Sequence, residues 1–237
     1  GGINCARELI NSNQFHIENI DIEEGGRAQK HPDIILNNSN YKIRHYNKLE
    51  FKKKYPKLRS QGIVIHFSGQ IIKNIKQITS KNNNCLLALD GIEDPQNLGQ
   101  IIRTAECAGI NGIILPKNRT IHVTQTVLQV SQGAFVHMPI YLAPNLNQSL
   151  INFKKNGFWI TGIENSIEAN YWHNIDLTGN MVIILGSEKS GIKKLVLKQC
   201  DFLATIPMSG NINSLNVSAA VSAILFERKR QLIKKVN

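Results

Sequence analysis

The 237-residue chain has only four cysteines, Cys5, Cys85, Cys107 and Cys200, standing far apart with no C-x-x-C pair and no Cys/His ligand spacing. A disulfide framework or zinc site is therefore not expected, and small buried thiols kept reduced are the simpler reading. The seven histidines are equally scattered, so no metal is expected either. No uninterrupted apolar stretch approaches the roughly 18–20 residues of a membrane helix, and no charged-then-apolar leader opens the chain. The expectation is a soluble, cytoplasmic protein with no membrane partner. Phosphate-loop and dinucleotide fingerprints are missing, as is the G-x-S-x-G elbow of many hydrolases. Acidic residues are also scarce, 17 against 28 lysines and arginines, which leaves a net charge of +11.

What is present is a globular composition, 42% hydrophobic and 19% charged, too apolar for a disordered chain. The charge is unevenly spread. Residues 1–80 hold 13 basic and 7 acidic side chains, against 15 and 10 in residues 81–237. Between Lys42 and Arg59 lie eight basic residues, Lys42, Arg44, Lys48, Lys52, Lys53, Lys54, Lys57 and Arg59, with Glu50 the lone acid. Tyr46, Phe51 and Tyr55 are interleaved. Such a pattern suits phosphate contact and base stacking. It equally suits a solvated helix face whose aromatics point inward.

The first seventy or so residues read as a small α/β unit. A helix opens near Ile3, His16–Ile22 alternates as a strand does, and strand-like Asp33–Leu36 and Lys42–Tyr46 flank the turn Asn37–Asn40. Asn47 with Glu50 marks a helix start, Pro56 its end, and Gly62–Phe67 a buried strand. Residues 76–84 are polar and aperiodic, so the expected organisation is a small domain over 1–75, a linker, and a larger domain over 85–237. In the larger part, apolar runs at Cys85–Leu89, Gly112–Leu115, Met138–Leu142, Phe158–Ile163, Met181–Leu185 and Phe202–Ile206 alternate with helical spacing at Leu98–Ala108, Thr124–Ser131, Leu146–Lys155, Lys189–Lys198 and about 216–235. Continuous apolar strands between helices predict an α/β fold with a mainly parallel sheet covered on both faces.

Ligands of such sheets sit at the carboxyl ends of the strands, which selects the loops after Leu89, Ile163, Leu185 and Ile206. The first leads into a helix whose buried stripe is Leu98, Ile101, Ile102 and Ala105. Arg103 falls about 140° from Leu98, free to meet an anion or simply exposed. Asn97 reads as a helix N-cap or a substrate contact. The loop Gly186–Gly191 lets backbone approach a ligand ahead of a helix; Glu188 is either a helix N-terminal acid or a holder of a substrate hydroxyl. The third loop, Ile206 to Ser218, is long and rich in Ser and Asn, as functional loops are. Residue by residue, these features amount to a basic protein with a polar small-molecule site, and they do not name the reaction.

Three segments do. Asn97-Leu98-Gly99 through Arg103-Thr104-Ala105, Leu185-Gly186-Ser187-Glu188 with Gly191, and Ile206-Pro207-Met208 through Ser214-Leu215-Asn216-Val217-Ser218 occur in order and at suitable separations. They resemble the three motifs of the SpoU (TrmH-like) RNA ribose 2′-O-methyltransferases. Gly2-Ile3-Asn4 through Leu9-Ile10, with Gln61-Gly62-Ile63, resemble the small substrate-binding domain of members that act on a guanosine in bacterial 23S rRNA; the Lys42–Arg59 stretch is less family-like.

The resemblance implies a trefoil knot in the C-terminal part, a rare exception among folds, and S-adenosylmethionine as methyl donor. It implies a homodimer whose site draws on both chains, with large-subunit ribosomal RNA as partner and rRNA processing as role. By motif position, Gly186, Ile206 and Leu215 would contact the donor, with Thr161, Gly162 and Ile163 as a further wall. Asn97, Arg103, Glu188, Ser214 and Asn216 would carry catalysis and substrate placement, and Lys42, Arg44, Lys52, Lys53, Lys54 and Arg59 would contact RNA. Alternatives within the class are a tRNA ribose methyltransferase or an rRNA-methylating resistance enzyme. Outside it stands a non-catalytic RNA-binding ribosome assembly factor.

Overall fold

The six apolar runs become the centre of a sheet. In the computed structural model, which describes residues 1–31, 41–56, 58–78, 84–118, 121–166 and 168–236, they form β5 (Cys85–Asp90), β6 (Gly112–Pro116), β7 (Ile140–Ala143), β8 (Trp159–Ile163), β10 (Met181–Gly186) and β11 (Phe202–Thr205). The short β4 (Ile72–Asn74) and β9 (Asn170–Tyr171) complete the order β4-β7-β6-β5-β10-β8-β11-β9, with every pairing parallel. The strand-like segment Asp33–Leu36, the turn Asn37–Asn40 and most of the 76–84 connection lie outside the described residues.

The pleat sorts each strand's side chains to two faces. Leu87 and Leu89 of β5 join the core formed with Leu98, Ile101 and Ile102 of α3 (Pro95–Ala108) and with Val221, Ile224 and Leu225 of α7 (Val217–Val236). Leu86 and Ala88 face the other way, onto Leu146, Leu150 and Phe153 of α5 (Leu146–Lys155) and Val196 of α6 (Lys194–Leu197). Each such fully buried aliphatic side chain contributes about 1.5–3 kcal/mol. The short α4 (Gln125–Val130), capped by Thr124, packs at α3, where a Cβ on Gly99 would stand 2.5 Å from Val130 Cβ.

The N-terminal part is a three-stranded sheet, order β2-β1-β3, from β1 (His16–Glu23), β2 (Lys42–Tyr46) and β3 (Ile63–Ser68). The expected capping box is present: Asn47 Oδ1 accepts from Leu49 and Glu50 N, and Asn47 N donates to Glu50, opening α2 (Lys48–Lys54). α1 (Ile3–Asn11) is shared between two cores. Ile3 and Ala6 pack on Ile20, Ile22 and Ile63 of the small sheet, while Cys5 and Leu9 enter the large core. Phe15, Phe67 and Phe135 meet at the seam with ring centroids 5.2–6.0 Å apart, and Glu8 pairs with His137 at 2.7 Å.

Two expectations need correction. The helical spacing over Lys189–Lys198 yields only α6, because residues 187–191 close into a turn: Gly191 N donates to Ser187 O, Ser187 Oγ meets Ser190 Oγ at 2.8 Å, and Gly191 takes φ +61°. The cysteines are also not uniformly buried, for Cys107 is exposed on α3.

Candidate active site

The carboxyl ends of β5, β8, β10 and β11 converge on one rim, as parallel strands require. A cleft of about 180 Å³ opens there, walled by Ile163, Glu164 and Asn165 at the end of β8, by Leu185–Glu188 and Gly191 at the end of β10, and by Ile206, Met208 and Asn213–Leu215 from the last loop. Its floor needs a glycine. A Cβ on Gly186 would stand 2.0 Å from the carbonyl carbon of Gly191, so the turn and the strand end touch backbone to backbone and leave their polar groups at the cleft.

The loops are tied to one another. Glu164 Oε1 accepts from Ile192 N at 2.8 Å, and Asn165 Nδ2 donates to Asn213 O at 2.7 Å. Behind the rim, buried Asp90 accepts from Lys193 N and pairs with its ammonium, fixing the end of the β10 turn to the end of β5.

A second hollow, also about 180 Å³, lies beside the cleft, lined by residues 91–94, Asn97, 187–190 and Val217. Glu188 belongs to both hollows. Its Oε1 accepts from Asn97 Nδ2 at 3.2 Å, Asn216 Nδ2 at 3.1 Å and Val217 N at 3.5 Å. Asn216 Nδ2 also reaches Asn97 Oδ1 at 3.0 Å, and Asn216 Oδ1 accepts from Ser218 N at 2.9 Å. Ser218 Oγ lies 2.8 Å from Gln100 Oε1 and ties the cluster to α3. Residues from three sequence segments thus meet at one carboxylate.

The helix-end readings are answered here. Asn97 is not the N-cap of α3. Asp94 is, accepting from Gln96 N ahead of Pro95, and Asn97, only 7% exposed, points at Glu188. Glu188 does serve a helix N-terminus, but that of α7, which favours a negative charge.

Of the residues implied for the donor, Ile163, Gly186, Ile206 and Leu215 line the cleft. Thr161 and Gly162 lie inside the sheet: Thr161 is fully buried with its hydroxyl 3.4 Å from Met181 Sδ, and a Cβ on Gly162 would meet Cys200 Sγ at 2.8 Å. Glu164 and Asn165, unnamed by motif, take that wall; their loop position was the only signal for them. Ser214 lines the cleft beside Leu215. Arg103 is exposed on α3, belongs to neither hollow, and has no partner among the described residues.

The basic stretch divides. Lys42 and Arg44 stand exposed on β2, Lys52 and Lys53 on α2, and Arg59 ahead of β3. Lys54 turns instead to Asp21 at 2.7 Å and over the Tyr46 ring at 4.3 Å. Phe51 is core and Tyr55 is tied to Asp21 and His66. Asp21 is held below the usual carboxylate range: burial would raise it, but hydrogen bonds from Lys54 and Tyr55 outweigh burial. Burial and the Asp21 carboxylate push the Tyr55 phenol up to about 12. Among the described residues, no cluster of His, Cys, Asp or Glu has the makings of a metal site, and no helix is long and apolar enough to cross a membrane.

Comparison with known proteins bears on the family and the fold. Residues 84–226 match the model of the SpoU rRNA Methylase family. Over 99% of its length the chain is 35% identical to a Staphylococcus aureus protein named for the TrmH family of tRNA/rRNA methyltransferases, covering 97% of that relative. An AdoMet-bound rRNA methyltransferase from Sinorhizobium meliloti superposes with a TM-score of 0.81 at 22% identity, covering 98% of this chain and 86% of its own. A TrmH/SpoU tRNA modifying enzyme from A. aeolicus superposes with a TM-score of 0.60 at 27% identity, covering 65% of this chain and 77% of its own. The strand order, with β10 between β5 and β8 and α7 returning onto α3, is that of the trefoil-knotted sheet.

Proposed function

The chain belongs to the SpoU rRNA methylase family and is an RNA methyltransferase that uses S-adenosylmethionine, and on that premise we propose that it methylates the ribose 2′-hydroxyl of a guanosine in 23S rRNA. It acts in the cytoplasm as a homodimer. The observation that carries this reading is the Asn97–Glu188–Asn216 cluster on the wall between the two hollows. A fixed polar group there lies between a place for the donor and a place for the nucleotide.

The residues fit the donor. The Gly186–Gly191 contact, which leaves no room for a Cβ, exposes backbone beside Ile206 and Leu215, while Ile163 offers an apolar wall. When bound, the donor supplies an electrophilic methyl group on a sulfonium, taken in line by the 2′-oxygen. Holding oxygen, carbon and sulfur in line is worth roughly 7–11 kcal/mol in well-oriented reactions. Asn97 and Asn216 hold Glu188, which accepts the hydroxyl proton directly or through water. Ser214 places the ribose at the rim.

Arg103 acts as a phosphate clamp that also stabilises developing alkoxide. A guanidinium holds its proton too tightly to serve as a ready base. Its exposed position, outside the cleft of its own chain, supports a site completed by a second copy. An Arg103→Lys profile that merely shifts to lower pH, with full maximal rate, overturns the clamp, because an ammonium gives up its proton more readily than a guanidinium.

An rRNA target is supported by the small N-terminal unit: the rRNA enzyme aligns with 98% of this chain, the tRNA enzyme with 65%. The S. aureus relative is named for both RNAs, which keeps tRNA as the second reading. Incubation with tritiated S-adenosylmethionine and rRNA plus tRNA from a strain lacking the enzyme, followed by mapping of labelled ribose, decides. Label at one 2′-O-methylguanosine of 23S rRNA is the expected result. Label only in tRNA overturns the target, and donor and RNA binding without label favours the assembly factor.

A further inference from the structure

The small N-terminal unit carries a groove larger than the active-site cleft, about 780 Å³, between the end of β1 and the connection from α2 to β3. Its floor is glycine against glycine. A Cβ on Gly26 would stand 2.9 Å from Glu23 O and 3.2 Å from Gly62 Cα, and Gly62 takes φ +82°, a region that favours glycine. The two segments are bonded through Glu23 N to Gly62 O at 2.9 Å.

Around this floor stand Arg27, Lys52 and Arg59, each exposed and each from a different segment. None has an acidic partner among the described residues; Glu23 is the acid in the wall. Tyr55 supplies an aromatic wall, and it is held: its hydroxyl binds fully buried Asp21 and lies 2.8 Å from His66 Nε2. Three cations converging on a concavity with a fixed ring differ from a flat basic patch that tracks a backbone.

We propose that this groove seats an unpaired nucleotide of the substrate RNA, its phosphates met by Arg27, Lys52 and Arg59 and its base offered to the Tyr55 wall. The occupant is single-stranded RNA because splayed bases stack on aromatic and guanidinium planes in concave sites, whereas duplex RNA shows proteins a shallow minor groove read by shape. The inference rests on RNA being the substrate. It adds a second recognition point on the chain, so a substrate must present a loop or bulge besides the methylated nucleotide.

The test uses the full chain, a fluorescein-labelled single-stranded oligonucleotide, a blunt RNA duplex, and Arg27→Ala, Lys52→Ala and Arg59→Ala singly and together. The triple variant is expected to bind the single strand at least about tenfold more weakly, with a shallower salt dependence by about 0.7 per lost phosphate contact. KM for RNA rises while calorimetric affinity for S-adenosylmethionine holds. Lys198→Ala, which removes an exposed charge ahead of β11, leaves both unchanged and controls for net charge. Rescue by Arg27→Lys with Arg59→Lys separates charge from folding. Wild-type affinity and salt slope in the triple variant overturn the groove, as does equal competition by the duplex. If instead the wild type neither binds nor methylates any RNA, the failure belongs to the functional reading and not to the groove.

Discussion

Two carboxylates organise this molecule, and they are held in opposite ways. Glu188 is exposed and accepts from two side-chain amides and a backbone N–H, with no ion pair among the described residues. Asp21 is buried and accepts from an ammonium, a phenol and the Asn19 amide, with His66 3.5 Å away. A charge oriented by neutral groups remains available to a ligand. A charge neutralised by Lys54 in the interior is committed to holding β1, α2 and β3 together. On the proposed function the first arrangement serves chemistry and the second architecture, although both are networks of short polar contacts.

The sharpest way to break the comparison is Glu188→Gln. The amide preserves shape and one acceptor oxygen but removes the charge, so kcat is expected to fall about 100-fold. Thermal stability stays within about 0.5 kcal/mol, as for an exposed site. A stability loss of several kcal/mol with kcat intact would make Glu188 a structural group like Asp21. Lys54→Met is the counterpart. It strands the buried Asp21 charge, which costs about 3–5 kcal/mol in fully buried pairs. Lys54 is 35% exposed, so about 1–3 kcal/mol is expected after screening, seen as a Tm lower by about 2–10 °C. S-Adenosylmethionine affinity stays at the wild-type value. Loss of donor binding in this variant would show that the two clusters are coupled.

The same contrast explains what the sequence could reveal. Six strands of the large sheet are legible because each is a continuous apolar run, and their expected and observed spans agree to within two residues at every end, whereas the short edge strands β4 and β9 carry no such run. Asp94-Pro95 was the local signal that starts α3 and frees Asn97 for Glu188. The cleft cluster was found through three short motifs, because its members sit at fixed offsets from strand ends and helix starts. The Asp21 cluster has no such signature. In β1 the residues Ile17, Ile20 and Ile22 mark one core face, and a bulge between Ile17 and Asn19 shifts the register. The other face is covered by α2, and Asp21 is buried there beneath Lys54. No period-2 pattern announces a second cover. Thr161 and Gly162 stand back from the cleft for a geometric reason: β8 pairs on both sides as far as Ile163, so the cleft lining begins only there.

The smallest expected effect comes from Tyr55→Phe, which keeps the ring and removes one bond to Asp21. A single such hydrogen bond contributes about 1 kcal/mol net, so the loss near neutral pH is modest and the diagnostic is its pH dependence. In the wild type, Asp21 titrates below its ordinary value. Its contribution to stability is therefore present above the unfolded value of about 3.9 and is lost as pH falls through the folded one. Removing the phenol raises the folded value, so acid unfolding begins at higher pH in the variant. The alkaline side moves oppositely. Tyr55 titrates near 12 in the folded chain against an ordinary value of about 10, so its contribution is complete below about 10 and disappears as pH rises through the folded value. Phenylalanine abolishes that alkaline loss. Circular-dichroism melts across pH should show the variant weaker in acid and less pH-sensitive above about 10, with kcat at neutral pH unchanged; parallel curves for the two proteins would mean that the Asp21–Tyr55 bond does not hold this cluster.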